Sequence, residues 1–168
     1  MTPIDPKTFA ENPISLIGDG WMLVTAGTPD HFNTMTASWG GMGFLWGKPV
    51  AFVFVRTSRF TYEFTEKNDL LTLSFFEMEK YRKALQICGS HSGRNCDKMA
   101  LTGLTPEETE NGSTTFAEAR LVIEGRKLYA DMIEKERFIE PKPLQEWYAN
   151  NDFHKMYIVE IANIRSRP

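Results

Sequence analysis

Two guanidinium groups and three hydroxyl groups fall within one six-residue segment of the chain. Its sequence is Arg56-Thr57-Ser58-Arg59-Phe60-Thr61. The segment follows an apolar run at residues 50–55 and precedes apolar residues at helical spacing, so we place it at a strand-to-helix turn. Arginine presents a forked donor set that fits two phosphate oxygens, and a helix N-terminus presents free N–H groups. The turn therefore predicts phosphate binding; the alternative is that Ser58 caps the helix and the arginines pair with surface carboxylates.

A second segment alternates small polar and apolar side chains. Its sequence is Asn33-Thr34-Met35-Thr36-Ala37-Ser38-Trp39. In a strand, Thr34, Thr36 and Ser38 share one face, opposite the apolar residues. A flat heterocycle fits against such a face, with Trp39 packed at its edge. The alternative is an ordinary half-buried strand with a polar face in solvent.

A loop rich in small residues, 89–98, contains glycines together with Arg94 and Lys98. Glycine-containing loops with positive charge form anion nests or lids. The loop matches neither the Walker spacing nor the dinucleotide G-x-G-x-x-G pattern. Cys88 precedes the loop and Cys96 lies within it, without a paired Cys-x-x-Cys arrangement, so we expect no metal site and two free thiols.

Catalytic residues are not assigned by any spacing in the sequence. There is no G-x-S-x-G motif, and no acidic pair is singled out by its spacing. His154 stands at the head of the last predicted strand, where it either contacts a ligand or occupies a sheet edge. The catalytic acid, base or nucleophile therefore stays unknown at this stage.

The elements that must position these segments are mostly strands. Strands are predicted at residues 21–26, 33–44, 50–56, 70–76, 115–126, 127–133 and 154–164, where 115–133 forms two strands or one bent strand. A short helix is predicted at residues 6–11, with Asp5 as its N-cap and Asn12-Pro13 at its end. A second is predicted to begin after Ser58, and others at residues 80–87, 99–104 and 143–149. The helices are inserted between strands rather than alternating with them. The prediction is mainly β with inserted helices, a six-stranded antiparallel Greek-key barrel forming one domain over residues 1–168.

Charge and hydropathy restrict the partners of the chain. The net charge of −3 gives no general attraction to nucleic acid or to an anionic membrane. No apolar run near the N-terminus has the form of a signal peptide, and the longest apolar run, residues 50–55, is too short to span a bilayer. We therefore expect a cytoplasmic protein with no nucleic-acid partner and no membrane partner.

Taken in order, several segments resemble those of one known family. They are WMLVTAG from Trp21, NTMTASWGGMG from Asn33, VAFVFVR after Pro49, RTSRFTYEF from Arg56 and SGRNCDK from Ser92. The ordered set resembles the flavin reductase-like, FMN-binding split-barrel family, and its flavoredoxin-like members especially, over residues 9–164. The resemblance implies a homodimer that binds FMN near its interface.

The same resemblance implies roles for individual residues. The segment from Thr36 to Trp39 would line the flavin, the turn from Arg56 to Thr61 would hold the phosphate, and Lys98 would reach toward the flavin site. The candidate cofactor-binding residues are Asn33, Met35, Thr36, Ala37, Ser38, Trp39, Arg56, Thr57, Ser58, Arg59, Thr61, Tyr62, Ser92, Lys98 and His154. No metal ligand is among them.

The implied function is reduction–oxidation chemistry supplied by the cofactor. The leading hypothesis is an FMN-dependent oxidoreductase that passes electrons from NADH or NADPH to a flavin or another acceptor. The alternative is a non-enzymatic FMN-containing electron carrier that works with a redox partner protein. A third hypothesis, a split barrel that binds haem or another ligand, leaves the phosphate turn unexplained.

Overall fold

Two neighbouring strands, Met22–Thr28 and His31–Ala37, lie very close to each other at Gly27, shortly before the turn that connects them. In the computed structural model, which describes residues 1–167, Gly27 has a φ of 109°. A Cβ atom there would lie 2.3 Å from the carbonyl oxygen of His31, so only glycine fits at this position. Pro168, the last residue of the predicted domain, lies outside the described residues.

The chain contains ten strands and five α-helices within the described residues. The strands are β1 (Thr2–Ile4), β2 (Met22–Thr28), β3 (His31–Ala37), β4 (Gly40–Leu45), β5 (Lys48–Arg56), β6 (Leu70–Phe75), β7 (Pro106–Glu108), β8 (Thr114–Phe116), β9 (Leu121–Met132) and β10 (His154–Ser166). The helices are α1 (Pro13–Gly18), α2 (Phe60–Lys67), α3 (Met78–Ser90), α4 (Lys98–Thr102) and α5 (Pro141–Trp147), with short 3-10 helices at Pro6–Thr8 and Lys135–Arg137. No helix within residues 1–167 is long and apolar enough to cross a membrane.

Eight of the strands form one antiparallel sheet. Its order is β3-β2-β6-β9-β10-β5-β4, and β1 pairs with β10 outside this path. The predicted class, mainly β with inserted helices, is confirmed. The predicted strand regions correspond to seven strands of this sheet, β2, β3, β4, β5, β6, β9 and β10, whereas β1 was not predicted. The predicted strand 33–44 is divided, because the chain leaves β3 at Ala37 and re-enters the sheet at Gly40.

Two packed clusters bury both faces of the central strands. Along β2, Val24 faces the barrel interior with Tyr157, whereas the neighbouring Leu23 faces a second cluster beneath α3 that includes Leu85 and Phe116. This alternation follows from the two-residue period of a strand. Because α3 covers the outer face of β2, the helix is held next to β3, whose C-terminal end leads into the site.

Two predictions about helix ends are wrong. Pro13 does not end a helix but begins α1, because the side chain of Asn12 accepts a hydrogen bond from the amide of Ile14 and a proline fits the first helical position. Ser58 does not cap α2. The N-cap is Arg59, with no side-chain cap bond, and the Ser58 hydroxyl donates to Asp152 Oδ2 at 2.7 Å.

The sequence left open whether residues 115–133 form one strand or two. The structure has a single twelve-residue strand, β9, preceded by the short β8. Its pairing with β10 shifts register between Ile158 and Val159 and again between Ile161 and Asn163. These irregularities let one long strand bend around the barrel.

Candidate functional site

The paired ends of β5 and β10 place two polar side chains next to each other. Arg56, the last residue of β5, lies opposite His154, the first residue of β10. Trp39, which follows β3, lies against them, with its ring centroid 5.1 Å from that of His154. Together with Trp147 at the end of α5, they surround a cavity of about 180 Å³ that we call the aromatic pocket.

Aromatic rings line much of this pocket. Trp39 and Trp147 meet edge to face at 5.0 Å between centroids, and Phe54 lies 6.5 Å from the His154 ring. Trp39 is 37% exposed and Trp147 is 47% exposed, so both indoles are open to solvent at the pocket. Large open aromatic faces favour stacking with a flat ring.

His154 is held as a neutral imidazole. Its Nδ1 lies 2.8 Å from the hydroxyl oxygen of Tyr148. Burial, together with the nearby positive charge of Arg56, lowers the pKa of His154 from 6.5 to about 4. At neutral pH the ring therefore offers one N–H donor and one nitrogen acceptor.

Arg56 links the end of β5 to the segment before β10 by hydrogen bonds. Its Nη1 donates to the carbonyl oxygen of Asp152 at 2.5 Å, and its Nη2 donates to that of Trp147 at 3.2 Å. The guanidinium also lies 3.7 Å from the Asp152 carboxylate and 5.4 Å from the centroid of the Tyr148 ring. Much of its donor capacity is therefore used within the protein.

A second, smaller cavity of about 90 Å³ adjoins the aromatic pocket, and Arg59 lines both. We call it the hydroxyl pocket, because serine and threonine side chains line it together with Arg59 and Lys98. Arg59 donates to the carbonyl oxygens of Gly89 and Cys88, at 2.6 Å and 3.1 Å, and so binds the end of α3. Burial lowers the pKa of Arg59, but a guanidinium keeps its charge.

Lys98 is the second cation of the hydroxyl pocket and is only 6% exposed. Its Nζ donates to the carbonyl oxygens of Thr34 at 2.6 Å and Cys88 at 3.1 Å. Burial lowers the pKa of this ammonium group. Asp97 is the N-cap of α4, and Lys98 follows it as the first residue of that helix.

The two pockets collect most of the predicted residues. The aromatic pocket contains Met35, Thr36, Ala37, Ser38, Trp39, Arg56, Arg59 and His154. The hydroxyl pocket contains Asn33, Ser58, Arg59, Thr61, Ser92 and Lys98. Thr57 and Tyr62 line neither: Thr57 is exposed, and Tyr62 packs against the barrel core near the Lys155 ammonium group. No group of three metal-ligating side chains occurs among the described residues.

The predicted polar face of β3 is used within the protein. The Thr36 hydroxyl donates to the carbonyl oxygen of Leu85 on α3, and the hydroxyls of Thr34 and Thr25 lie 2.8 Å apart. The pocket wall is therefore formed by the end of β3 as a whole, including Met35 and Ala37, rather than by one row of hydroxyls.

Sequence reasoning missed some of the lining residues. They are Phe54 and Trp147 in the aromatic pocket, and Phe60, Ser90 and His91 in the hydroxyl pocket. Phe54 had a signal, because it lies two residues before Arg56 and so shares its face of β5. Trp147 had no such signal, since α5 reaches the pocket through tertiary contacts with Arg56 and Trp39.

The flavin reductase like domain is the family whose model matches this chain, over residues 14–167. No curated protein matches it. Solved structures share its fold. Flavoredoxin of Desulfovibrio vulgaris (Miyazaki F) is 24% identical with a TM-score of 0.67, covering 88% of this chain and 69% of that one.

Two further structures are similar at lower identity. An FMN-binding protein from Thermus thermophilus with bound p-hydroxybenzaldehyde is 18% identical with a TM-score of 0.67, over 88% of this chain and 71% of the other. An NADH:FAD oxidoreductase of Streptomyces globisporus is 17% identical with a TM-score of 0.64, over 89% and 76%. At these identities the likeness establishes the fold.

Proposed function

The chain belongs to the flavin reductase like domain family, and from this premise we propose that it is an FMN-binding oxidoreductase that passes electrons from reduced nicotinamide to a flavin or another acceptor. The observation that supports it best is the position of Arg59, which lines two adjoining pockets of different chemistry. One pocket suits a flat ring and the other suits a phosphate. FMN combines these two groups in one molecule.

The hydroxyl pocket has the donors that a phosphate needs. Arg59 has five N–H groups and uses two on carbonyl oxygens, and Lys98 has three and uses two. Ser92 and the N-terminus of α2 lie at the same pocket, whereas the Ser58 hydroxyl already donates to Asp152. The donor set therefore fits a phosphate dianion, with Arg59 as its main charged partner.

The aromatic pocket fits the isoalloxazine ring. Trp39, Phe54 and Trp147 supply apolar faces, and the neutral His154 supplies a polar contact without adding charge. Bound FMN would supply one-electron and two-electron redox chemistry. The protein's part is to hold and orient the ring, and the exposed indoles of Trp39 and Trp147 give a flat hydride donor a surface on which to stack.

The enzyme and the electron carrier differ in their response to nicotinamide. We expect NADH or NADPH alone to bleach the absorbance of FMN bound to the protein under nitrogen. Reduction only through another redox protein would instead support the carrier hypothesis. Titrating both nucleotides against the FMN-loaded protein in an anaerobic cuvette separates the two functions and gives the nucleotide preference.

A homodimer is the assembly that we propose. Four large apolar side chains, Phe44, Trp46, Leu128 and Tyr129, are 38–69% exposed, and the rings of Trp46 and Tyr129 lie 6.4 Å apart. Exposed apolar surface of this kind favours association. The edge strand β4 starts directly after Trp39 and ends directly before Trp46, so it connects the aromatic pocket to this apolar surface.

The compartment also remains a proposal. Cys88 and Cys96 are both free thiols, and Cys88 is buried. Burial raises the pKa of the Cys88 thiol to about 11, so it stays protonated and unreactive at neutral pH. Free thiols agree with the reducing cytoplasm that we expect.

A further inference from the structure

We propose that Tyr148 is a positioning residue that holds His154 with its proton on Nε2, so that His154 presents a fixed N–H donor to a carbonyl-type acceptor of the ligand in the aromatic pocket. The identity of that ligand as a flavin or a nicotinamide rests on the proposed function. The position of the proton on the imidazole does not, and it can be measured without any ligand.

The direction of the Tyr148–His154 hydrogen bond follows from what else Tyr148 can reach. Tyr148 is 6% exposed, and the Nδ1 atom of His154 is the only hydrogen-bond partner of its hydroxyl among residues 1–167. If Nδ1 carried the proton, Tyr148 would accept it and its own buried O–H would have no acceptor, which is costly. We therefore infer that Tyr148 donates to Nδ1, which leaves the ring proton on Nε2.

The positive charge of Arg56 favours the same direction, and the Asp152 carboxylate acts against it. The Arg56 guanidinium lies 5.4 Å from the centroid of the Tyr148 ring, and Asp152 lies at the same corner, paired with Arg56. These are the charged groups that act on His154. A nearby positive charge disfavours an imidazolium and makes a phenol a better proton donor.

The other ring nitrogen of His154 is accessible. Within residues 1–167 every buried side-chain nitrogen or oxygen has a hydrogen-bond partner, and the bond of the His154 ring is made by Nδ1. Because Nε2 has no hydrogen-bond partner among these residues, it is not one of the buried atoms, and His154 lines the aromatic pocket. An Nε2–H group there can donate to a carbonyl oxygen, whereas the opposite tautomer would present a lone pair.

Packing holds the Tyr148 ring in place. It stacks on Phe153 at 4.9 Å with an angle of 9° between the planes, and Phe138 lies 5.7 Å away. Arg56 binds the carbonyl oxygens of Trp147 and Asp152, on either side of Tyr148 in the chain. The phenol is therefore a fixed donor and not a mobile surface group.

The test compares wild type with Tyr148→Phe, which keeps the ring and removes the hydroxyl. Long-range ¹⁵N–¹H correlation spectra of the ligand-free protein should place the His154 proton on Nε2 in wild type, with Nδ1 hydrogen-bonded. In Tyr148→Phe we expect the Nδ1 signal to move to that of a free nitrogen and the pKa of His154 to rise. The affinity for FMN or for nicotinamide should fall about three- to tenfold, which is the loss of one positioned hydrogen bond.

Tyr81→Phe is the matched control, because Tyr81, a residue of α3, packs on Phe76 and lines neither pocket. It should leave the His154 spectrum unchanged. A wild-type spectrum with the proton on Nδ1 would overturn the proposal, as would a Tyr148→Phe spectrum and affinity identical to wild type. A protein with the expected tautomer that binds no flavin would contradict the proposed function while keeping Tyr148 as the residue that positions His154.

Discussion

Asn33 Nδ2 donates a hydrogen bond to Thr61 Oγ1 across 2.7 Å, and this bond joins β3 to the first turn of α2. The two residues lie in the two segments that the sequence singled out as ligand-binding. Both are buried, and both line the hydroxyl pocket. The bond thus fixes the phosphate turn relative to the strand that leads into the aromatic pocket.

Thr61→Val should destabilise the protein and weaken FMN binding. Valine keeps the shape of threonine but leaves the buried amide of Asn33 without its side-chain acceptor, which costs about 1–3 kcal/mol in the free energy of unfolding. Urea denaturation measures the loss. Thr57→Val in the same turn is the control, because Thr57 is exposed and lines neither pocket; equal losses in both variants would contradict the role of the Asn33–Thr61 bond.

Arg59→Ala should weaken FMN binding about 10- to 100-fold, since a charged contact to phosphate is worth about 1.5–3 kcal/mol. Arg59→Lys keeps the positive charge but loses the forked pair of N–H donors, so its affinity for FMN should lie between those of wild type and Arg59→Ala. Fluorescence titration with FMN gives the Kd of each variant. Arg94→Ala is the control, because Arg94 pairs with the exposed Glu63 and lines neither pocket. If it weakened binding as much as Arg59→Ala, net charge alone would explain the effect.

Stability should fall as the pH drops from about 6.5 to about 4. The pKa of His154 is lowered to about 4 in the folded protein, so over this window the unfolded chain takes up a proton that the folded protein does not. The contribution of the neutral His154 to the free energy of unfolding is therefore fully present above pH 6.5. Up to about 3 kcal/mol of the free energy of unfolding is lost by pH 4.

The pH dependence is measured by chemical denaturation of wild type and His154→Gln across that window. Glutamine has no titration there, so the variant should show a shallower dependence on pH. His91→Gln, at an exposed histidine, serves as the control and should follow wild type. Identical slopes for wild type and His154→Gln would contradict a buried neutral His154.

Trp46→Ser should shift the protein toward monomer. Trp46 is 58% exposed and contacts Tyr129 in the apolar surface that we assign to the dimer. Light scattering across a dilution series gives the association constant. Ile139→Ser is the control, because Ile139 is fully exposed and lies outside that surface; an unchanged association constant in Trp46→Ser would remove this surface from the interface.

Local patterns in the sequence predicted much of the fold. The strands β2, β5 and β6 follow from runs of apolar, β-branched and aromatic residues, and the turn before α2 follows from its polar residues. The ends of elements were less predictable. Ser58 has the composition of an N-cap, but its hydroxyl bonds to Asp152, a residue far along the chain. Long-range competition of this kind is not visible in a local pattern.

The site was predicted in part for the same reason. Residues close in sequence, such as Ser58, Arg59 and Thr61, also meet in one pocket. Trp147 and Tyr148 reach the site only because β10 pairs with β5 and Arg56 binds the chain before β10. Their roles depend on tertiary structure, and neither residue type nor spacing indicated them.

The most direct test of the central claim is a titration of the purified protein with FMN, followed by absorbance and by the flavin that remains with the protein after filtration. We predict saturable binding of equimolar FMN with a shifted flavin spectrum, and weaker binding in Arg59→Ala. An unchanged flavin spectrum, with all FMN recovered in the filtrate, would contradict the claim that these two pockets form a flavin site.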